Sequence, residues 1–224
     1  MMMLKRLFAL LFPPKCILCN RILSEEETDL CRNCRENQPL YGKHKIKLSF
    51  LAQWTGLWYY KENVRGSILR YKFYGRRSYG AVYGRLLAMK LLKDGWDDTD
   101  VLTWIPISRQ RRRIRGYDQV EVFAKVLAEE LGRDLIPTLK KIRNTKPQST
   151  LRTAAHRRAN ILGAFEVTDP GLIRGKRILL LDDIVTTGAT GSECARVLLT
   201  AGAKEVKLAT LAVASHEKTS NKSR

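Results

Sequence analysis

The chain has 224 residues, enough for one well-buried core and a small appended module. Its apolar share of 44% is ordinary, but 41 Lys and Arg against 22 Asp and Glu leave a formal net charge of +19. That balance draws polyanions, namely phosphate-rich ligands, nucleic acid or an anionic membrane, with a basic, well-solvated surface as the alternative.

Met1–Phe12 places Lys5 and Arg6 before a short apolar run. The run is too short for a secretory signal and no small-residue cleavage site follows it. It is expected to pack on the domain, with a peripheral membrane contact as the lesser reading. No run reaches transmembrane length, and a cytoplasmic protein is expected, with the inner face of the membrane as a secondary location. Cys16-x-x-Cys19 and Cys31-x-x-Cys34 follow. Each pair offers two thiolates from one turn, and two such turns complete a tetrahedral four-cysteine site for structural zinc. A reducing compartment disfavours disulfides. Cys194 stands alone and is expected to be a small core residue.

Residues 1–40 are read as the zinc module, 41–98 as a hood or linker segment, 99–215 as the main domain and 216–224 as a disordered tail. Trp54–Tyr60 is expected as a strand, Val64–Tyr71 as a helix start and Arg85–Lys93 as an amphipathic helix. Between residues 54 and 83 aromatic and cationic side chains interleave. Exposed rings can stack on bases while cations meet phosphates, which makes Trp58 and Lys72 candidates for single-stranded DNA.

Val101–Pro106 is expected as a strand and Arg109–Gly116 as a basic loop. Within that loop Arg111, Arg112 and Arg113 are candidate phosphate contacts on DNA. Val120–Leu131 has helical spacing with Gly132 as its stop. Leu135-Ile136 is a brief strand. Thr138–Asn160 is polar and aperiodic and is expected to be a mobile functional loop. Ile178–Leu181 and Val206–Val213 read as buried strands flanking a helix at Glu193–Ala201.

The most specific stretch is Ile178 to Thr190, Ile-Leu-Leu-Leu-Asp-Asp-Ile-Val-Thr-Thr-Gly-Ala-Thr. A strand buried on both faces delivers its polar residues at the carboxyl end, where open α/β sheets hold ligands. Val185, Thr186, Thr187, Gly188, Ala189 and Thr190 can wrap an anion with free N–H groups and hydroxyls. Asp182 and Asp183 can accept from sugar hydroxyls or hold a hydrated Mg²⁺. No Lys follows Gly191, which excludes a Walker A loop, and the glycine spacing excludes a dinucleotide fingerprint. Phosphate, hydroxyls and metal together describe a sugar phosphate.

This stretch resembles the PRPP signature of type I phosphoribosyltransferases. The fold implied is α/β: a type I phosphoribosyltransferase-like parallel sheet flanked by helices, with a small N-terminal four-cysteine zinc module. The resemblance implies a pyrophosphate loop at Ile107, Ser108 and Arg109, a helix opening at Arg115, and a flexible loop at Thr145–Asn160 in which Gln148 and Arg157 meet the pyrophosphate or the nucleophile. The four-cysteine module, Lys72-Phe73, Arg115-Gly-Tyr-Asp-Gln119, Thr145-x-x-Gln148-x-x-Leu151, Arg157-x-x-Asn160-x-x-Gly163-Ala-Phe165 and Asp182–Thr190 occur in this order. Their combination is similar to the ComF family, with Asp118 standing where Asn is more usual. Membership implies a factor of DNA uptake in natural transformation that acts on incoming single strands, takes PRPP, and works with competence machinery such as a DNA-translocating helicase. Two readings stay open: an enzyme transferring phosphoribosyl to an acceptor, in DNA uptake or in nucleotide salvage, and a non-catalytic DNA-binding factor regulated through the PRPP pocket.

Overall fold

The computed structural model describes residues 13–42, 48–96, 98–145 and 153–214. Met1–Phe12, Gln148 and the tail from His216 lie outside the described residues. Strand β1 (Gln53–Tyr59), β2 (Val101–Trp104) and β3 (Asp134–Leu135) belong to one sheet with β6 (Arg177–Val185) and β7 (Glu205–Val213). The order is β1-β7-β6-β2-β3 and every pair is parallel. Strands β4 (Leu139–Lys141) and β5 (Phe165–Val167) form a separate antiparallel pair. The strand near residues 54–60, expected within a hood segment, is therefore the edge strand of the main sheet, with Gln53 opposite Lys207.

The run Ile178–Leu181 is fully buried because both faces of β6 are covered. Alternate side chains feed two cores. Leu179 and Leu181 pack beneath helices α2 (Glu62–Phe73), α3 (Tyr79–Lys93) and α5 (Gln119–Leu131). Ile178 and Leu180 pack beneath α7 (Ala189–Thr200) and the β4–β5 pair. Helix α5 buries Val120, Phe123, Ala124, Leu127 and Ala128, the one-face spacing of an amphipathic helix. It ends at Gly132 in the left-handed conformation, as the sequence predicts. Helix α3 lies close on α5 because Gly84 lacks a side chain: a Cβ there would sit 2.8 Å from the Phe123 carbonyl oxygen.

Two expectations give way. Residues 109–115 form a short helix, α4 (Arg109–Arg115), rather than a loop. Ser108 caps it by accepting from the Arg111 N–H at 3.3 Å, and Gly116 closes it at φ 77°. The stretch Thr138–Asn160 is also not wholly irregular. It contains β4 and most of helix α6 (Ala154–Ile161), which Thr153 caps through the His156 N–H.

The cysteine module packs on the first core. Ile17 and Leu18 join Val64, Ile68, Tyr71 and Tyr83 there. Ser67 donates to the Ile17 carbonyl, and the Arg70 guanidinium donates to the carbonyls of Ile17 at 3.1 Å and Leu18 at 2.6 Å. Among the described residues no helix is long and apolar enough to cross a membrane.

Candidate sugar-phosphate pocket and zinc centre

The sulfurs of Cys16, Cys19, Cys31 and Cys34 all lie within 4.8 Å of one another. The Cys19–Cys31 pair stands at 3.7 Å, close to the edge of a tetrahedron with zinc–sulfur bonds of about 2.3 Å. A disulfide would need about 2.0 Å. Local chemistry builds the cluster. The Cys16 N–H donates to the Arg21 carbonyl and Asn20 turns left-handed at φ 65°. Cys31 caps helix α1 (Arg32–Glu36), accepting from the Cys34 N–H at 3.4 Å. The four thiolates fit a structural zinc with no position left open for substrate.

At the carboxyl end of β6 lies a cavity of about 540 Å³. Asp182 and Asp183 are in its walls, followed by Val185, Thr186, Thr187, Gly188, Ala189 and Thr190. Gly188, at φ 72°, is the turn before α7. A Cβ there would collide with the Leu48 side chain, so glycine is required on both counts. The first-turn N–H groups of α7 have no acceptor within the helix and open toward the cavity. Ile107 also lines it, and Arg111, Arg115, Lys72 and Lys141 complete the polar wall.

The Arg115–Gln119 motif ties this wall together. Asp118 is buried, and its two carboxylate oxygens accept separate N–H groups, from Ile107 at 3.1 Å and Val120 at 3.0 Å. Asparagine has a single oxygen acceptor, so the acid at this position serves both donors. Burial pushes the Asp118 carboxyl up. Tyr117 donates to the Tyr71 carbonyl, and Tyr71 donates to the Gln119 carbonyl at 2.7 Å, locking α2 to the start of α5. Arg115 donates to Gln119 Oε1 at 2.6 Å and lies 5.0 Å from the Phe73 ring.

Lys72 Nζ stands 2.6 Å from Asp183 Oδ2, with both side chains largely buried. Asp182 lies beside this pair in the cavity wall. Burial, then the neighbouring Asp183 charge, pushes its carboxyl up to about 8. Lys141 is pushed down to about 8 by burial and by Arg111, and its ammonium lies 5.3 Å from the Phe165 ring. Sequence reasoning missed Lys141. The signal was there: it shares the face of β4 that Leu139 buries, an unusual place for a lysine.

Other expected site residues lie elsewhere. Ser108 caps α4, while Arg109, Arg112 and Arg113 face solvent beside the pocket, Arg112 paired with Glu121 at 3.0 Å. Arg157 is half-buried on α6 and is not part of the cavity wall. Trp58 is fully buried, donating Nε1–H to Gln38 Oε1 at 2.9 Å and packed on Tyr83. It has no free face for a base. Lys72 points into the pocket rather than to a DNA surface. The exposed rings of the aromatic stretch are Phe73 and Tyr74.

The model of the phosphoribosyl transferase domain matches residues 121–224, and that of the double zinc ribbon domain matches residues 7–44. The chain is 30% identical over 189 residues to Competence protein ComFC of Streptococcus pneumoniae, covering 84% of this chain and 77% of that one. It is 32% identical over 142 residues to DNA utilization protein YhgH of Salmonella typhimurium, covering 61% of each. Among solved structures, glutamine phosphoribosylpyrophosphate amidotransferase from B. subtilis aligns with a TM-score of 0.44 and 22% identity, over 63% of this chain and 30% of that one. With its ribbon cysteines gathered, its parallel sheet and its Asp-Asp strand end in place, the chain belongs to the ComF family of phosphoribosyltransferase-like proteins.

Proposed function

We propose that the chain binds PRPP or a closely related sugar phosphate in this pocket and serves the handling of DNA taken up from outside the cell. The observation that carries the reading is the composition of the cavity wall. Acceptors for ribose hydroxyls, an N–H-lined turn for a 5′-phosphate, and Arg111, Arg115 and Lys141 for a diphosphate converge there. No protein nucleophile is needed for phosphoribosyl transfer, because the leaving diphosphate departs from a ribose with oxocarbenium character and the protein positions groups and stabilises charge. The relatives' names, competence and DNA utilization, support the cellular role. Calorimetry with PRPP tests the pocket. Binding is expected for the wild-type protein and lost in the Asp182→Asn, Asp183→Asn double variant; equal affinity in both would refute the assignment.

A second reading, single-stranded DNA as partner, is favoured by the exposed Arg109, Arg112 and Arg113 on α4 and by the exposed rings of Phe73 and Tyr74. Affinity would fall with salt by about 0.7 log units per decade for each phosphate contact. A binding isotherm insensitive to salt would refute it. Whether phosphoribosyl is transferred, and to what, is tested by pyrophosphate release across an acceptor panel with and without DNA.

A further inference from the structure

The acid pair suggested Mg²⁺ from sequence alone, yet its donor set does not fit a free divalent cation. A divalent ion of this kind takes several oxygens, of which one or two are usually carboxylates. Here Asp183 Oδ2 already holds the Lys72 ammonium at 2.6 Å, with the two side chains only 14% and 13% exposed. Asp182 Oδ1 accepts the Asp183 N–H at 2.8 Å. Two of the four carboxylate oxygens are thus engaged. Lys72 is also not a loose surface lysine. Its helix is fixed on one side by Arg70 on the Ile17 and Leu18 carbonyls, and on the other by Tyr117 on the carbonyl of Tyr71. The same cavity wall carries Arg111, Arg115 and Lys141. An incoming divalent ion would meet four cationic groups and a carboxylate already paired.

We propose that Lys72 is a built-in counter-ion to Asp183 that takes the place of a divalent cation, so that the pocket receives its sugar phosphate without a metal bridging to the acid pair. Lys72 acts as a positioning residue. It holds the Asp183 carboxylate in place for ribose hydroxyls and leaves the pocket net positive for the phosphates. The part concerning the sugar phosphate rests on the proposed function; the part concerning the metal does not.

Two measurements on the full-length protein separate these parts. In the first, Mn²⁺ is titrated by electron paramagnetic resonance with no sugar phosphate present. Wild type and Lys72→Arg are expected to show no site at the acid pair. Lys72→Met is expected to bind Mn²⁺ about tenfold tighter or more, as an uncovered carboxylate gains a cation. The added Asp183→Asn change should abolish that site. In the second, PRPP is titrated in EDTA and in Mg²⁺. Wild-type affinity should differ by less than about threefold between the two, whereas Lys72→Met should weaken by about tenfold in EDTA and recover in part with Mg²⁺. Tight Mn²⁺ binding by the wild type at Asp183, or PRPP binding that vanishes in EDTA, would overturn the proposal. Both are wild-type results and need no variant to fold. PRPP failing to bind under either condition would instead remove the sugar-phosphate reading, and the Mn²⁺ comparison would still decide the role of Lys72.

Discussion

Asp182 carries a cost that the fold must meet elsewhere, and replacing it with asparagine should reveal the amount. Asparagine keeps the Oδ1 acceptor for the Asp183 N–H and removes the titrating group. The ordinary carboxyl value of 3.8 rises to about 8 in the folded protein, through burial first and the Asp183 charge second. The sign follows from linkage. A group whose folded value is raised contributes stability that is fully present below its unfolded value and is lost as pH rises to the folded one. Wild type should therefore lose ground to Asp182→Asn steadily from about pH 4 to about pH 8, then level off. Neutral pH lies about three units above the ordinary value, and each unit is about 1.4 kcal/mol, which sets a ceiling near ~4 kcal/mol in favour of the variant. For a chain of this size that is a rise in Tm on the order of 10 °C. Urea melts of both proteins at about pH 4.5, 7 and 8.5 would measure the gap. Titration of the zinc thiols affects both proteins alike and cancels in the difference. A gap that does not change across this range would refute the reasoning.

Other expectations follow from the same geometry. Gly188→Ala should cost about 1–2 kcal/mol for a left-handed alanine, and more through Leu48, while weakening PRPP binding at least about tenfold in calorimetry. Cys16→Ser should abolish zinc in metal analysis and lower Tm, because Ile17 and Leu18 of the first knuckle are part of the common core. PRPP affinity should fall as pH rises from about 7 to 9, since Lys141, pushed down to about 8, loses its charge while Asp182, pushed up to about 8, gains one. A flat profile would remove both groups from the ligand's surroundings. The Arg112→Ala, Arg113→Ala double variant should flatten the salt dependence of single-stranded DNA binding and leave PRPP affinity unchanged, because both side chains face solvent.

The parts legible in the sequence were those fixed by local pattern. The unbroken apolar run of β6 marked a strand covered on both faces, and its polar end marked the site. The cysteine spacings announced their own cluster. The apolar stripe of α5 and its glycine stop were equally plain. What the sequence hid were facts of tertiary neighbourhood. Five arginines disguised α4, although Ser108 and Gly116 bracket it as cap and stop. Trp58 reads as an exposed ring beside cations, but it sits in β1, and strand pairing with β7 turns it inward. Nothing near Lys72 in the chain says that it meets Asp183, more than a hundred residues away. Lys141 was legible only as a face violation in a three-residue strand, too short for alternation to stand out.

The pairing of β1 with β7 has a consequence for how the chain is made. Residue 53 waits for residue 207, and at ordinary ribosomal speeds that wait lasts on the order of 10 s or more. Until then β1 is an unpaired strand edge and an aggregation risk. The cysteine module precedes the whole sheet in the chain, and so small a module is expected to depend on its metal to fold. Its docking surface on α2 and α3 comes next, so the N-terminal third has apolar cover well before the sheet closes. Zinc bound while the chain is still being made is therefore expected to raise the yield of folded protein more than zinc supplied after β7 is complete.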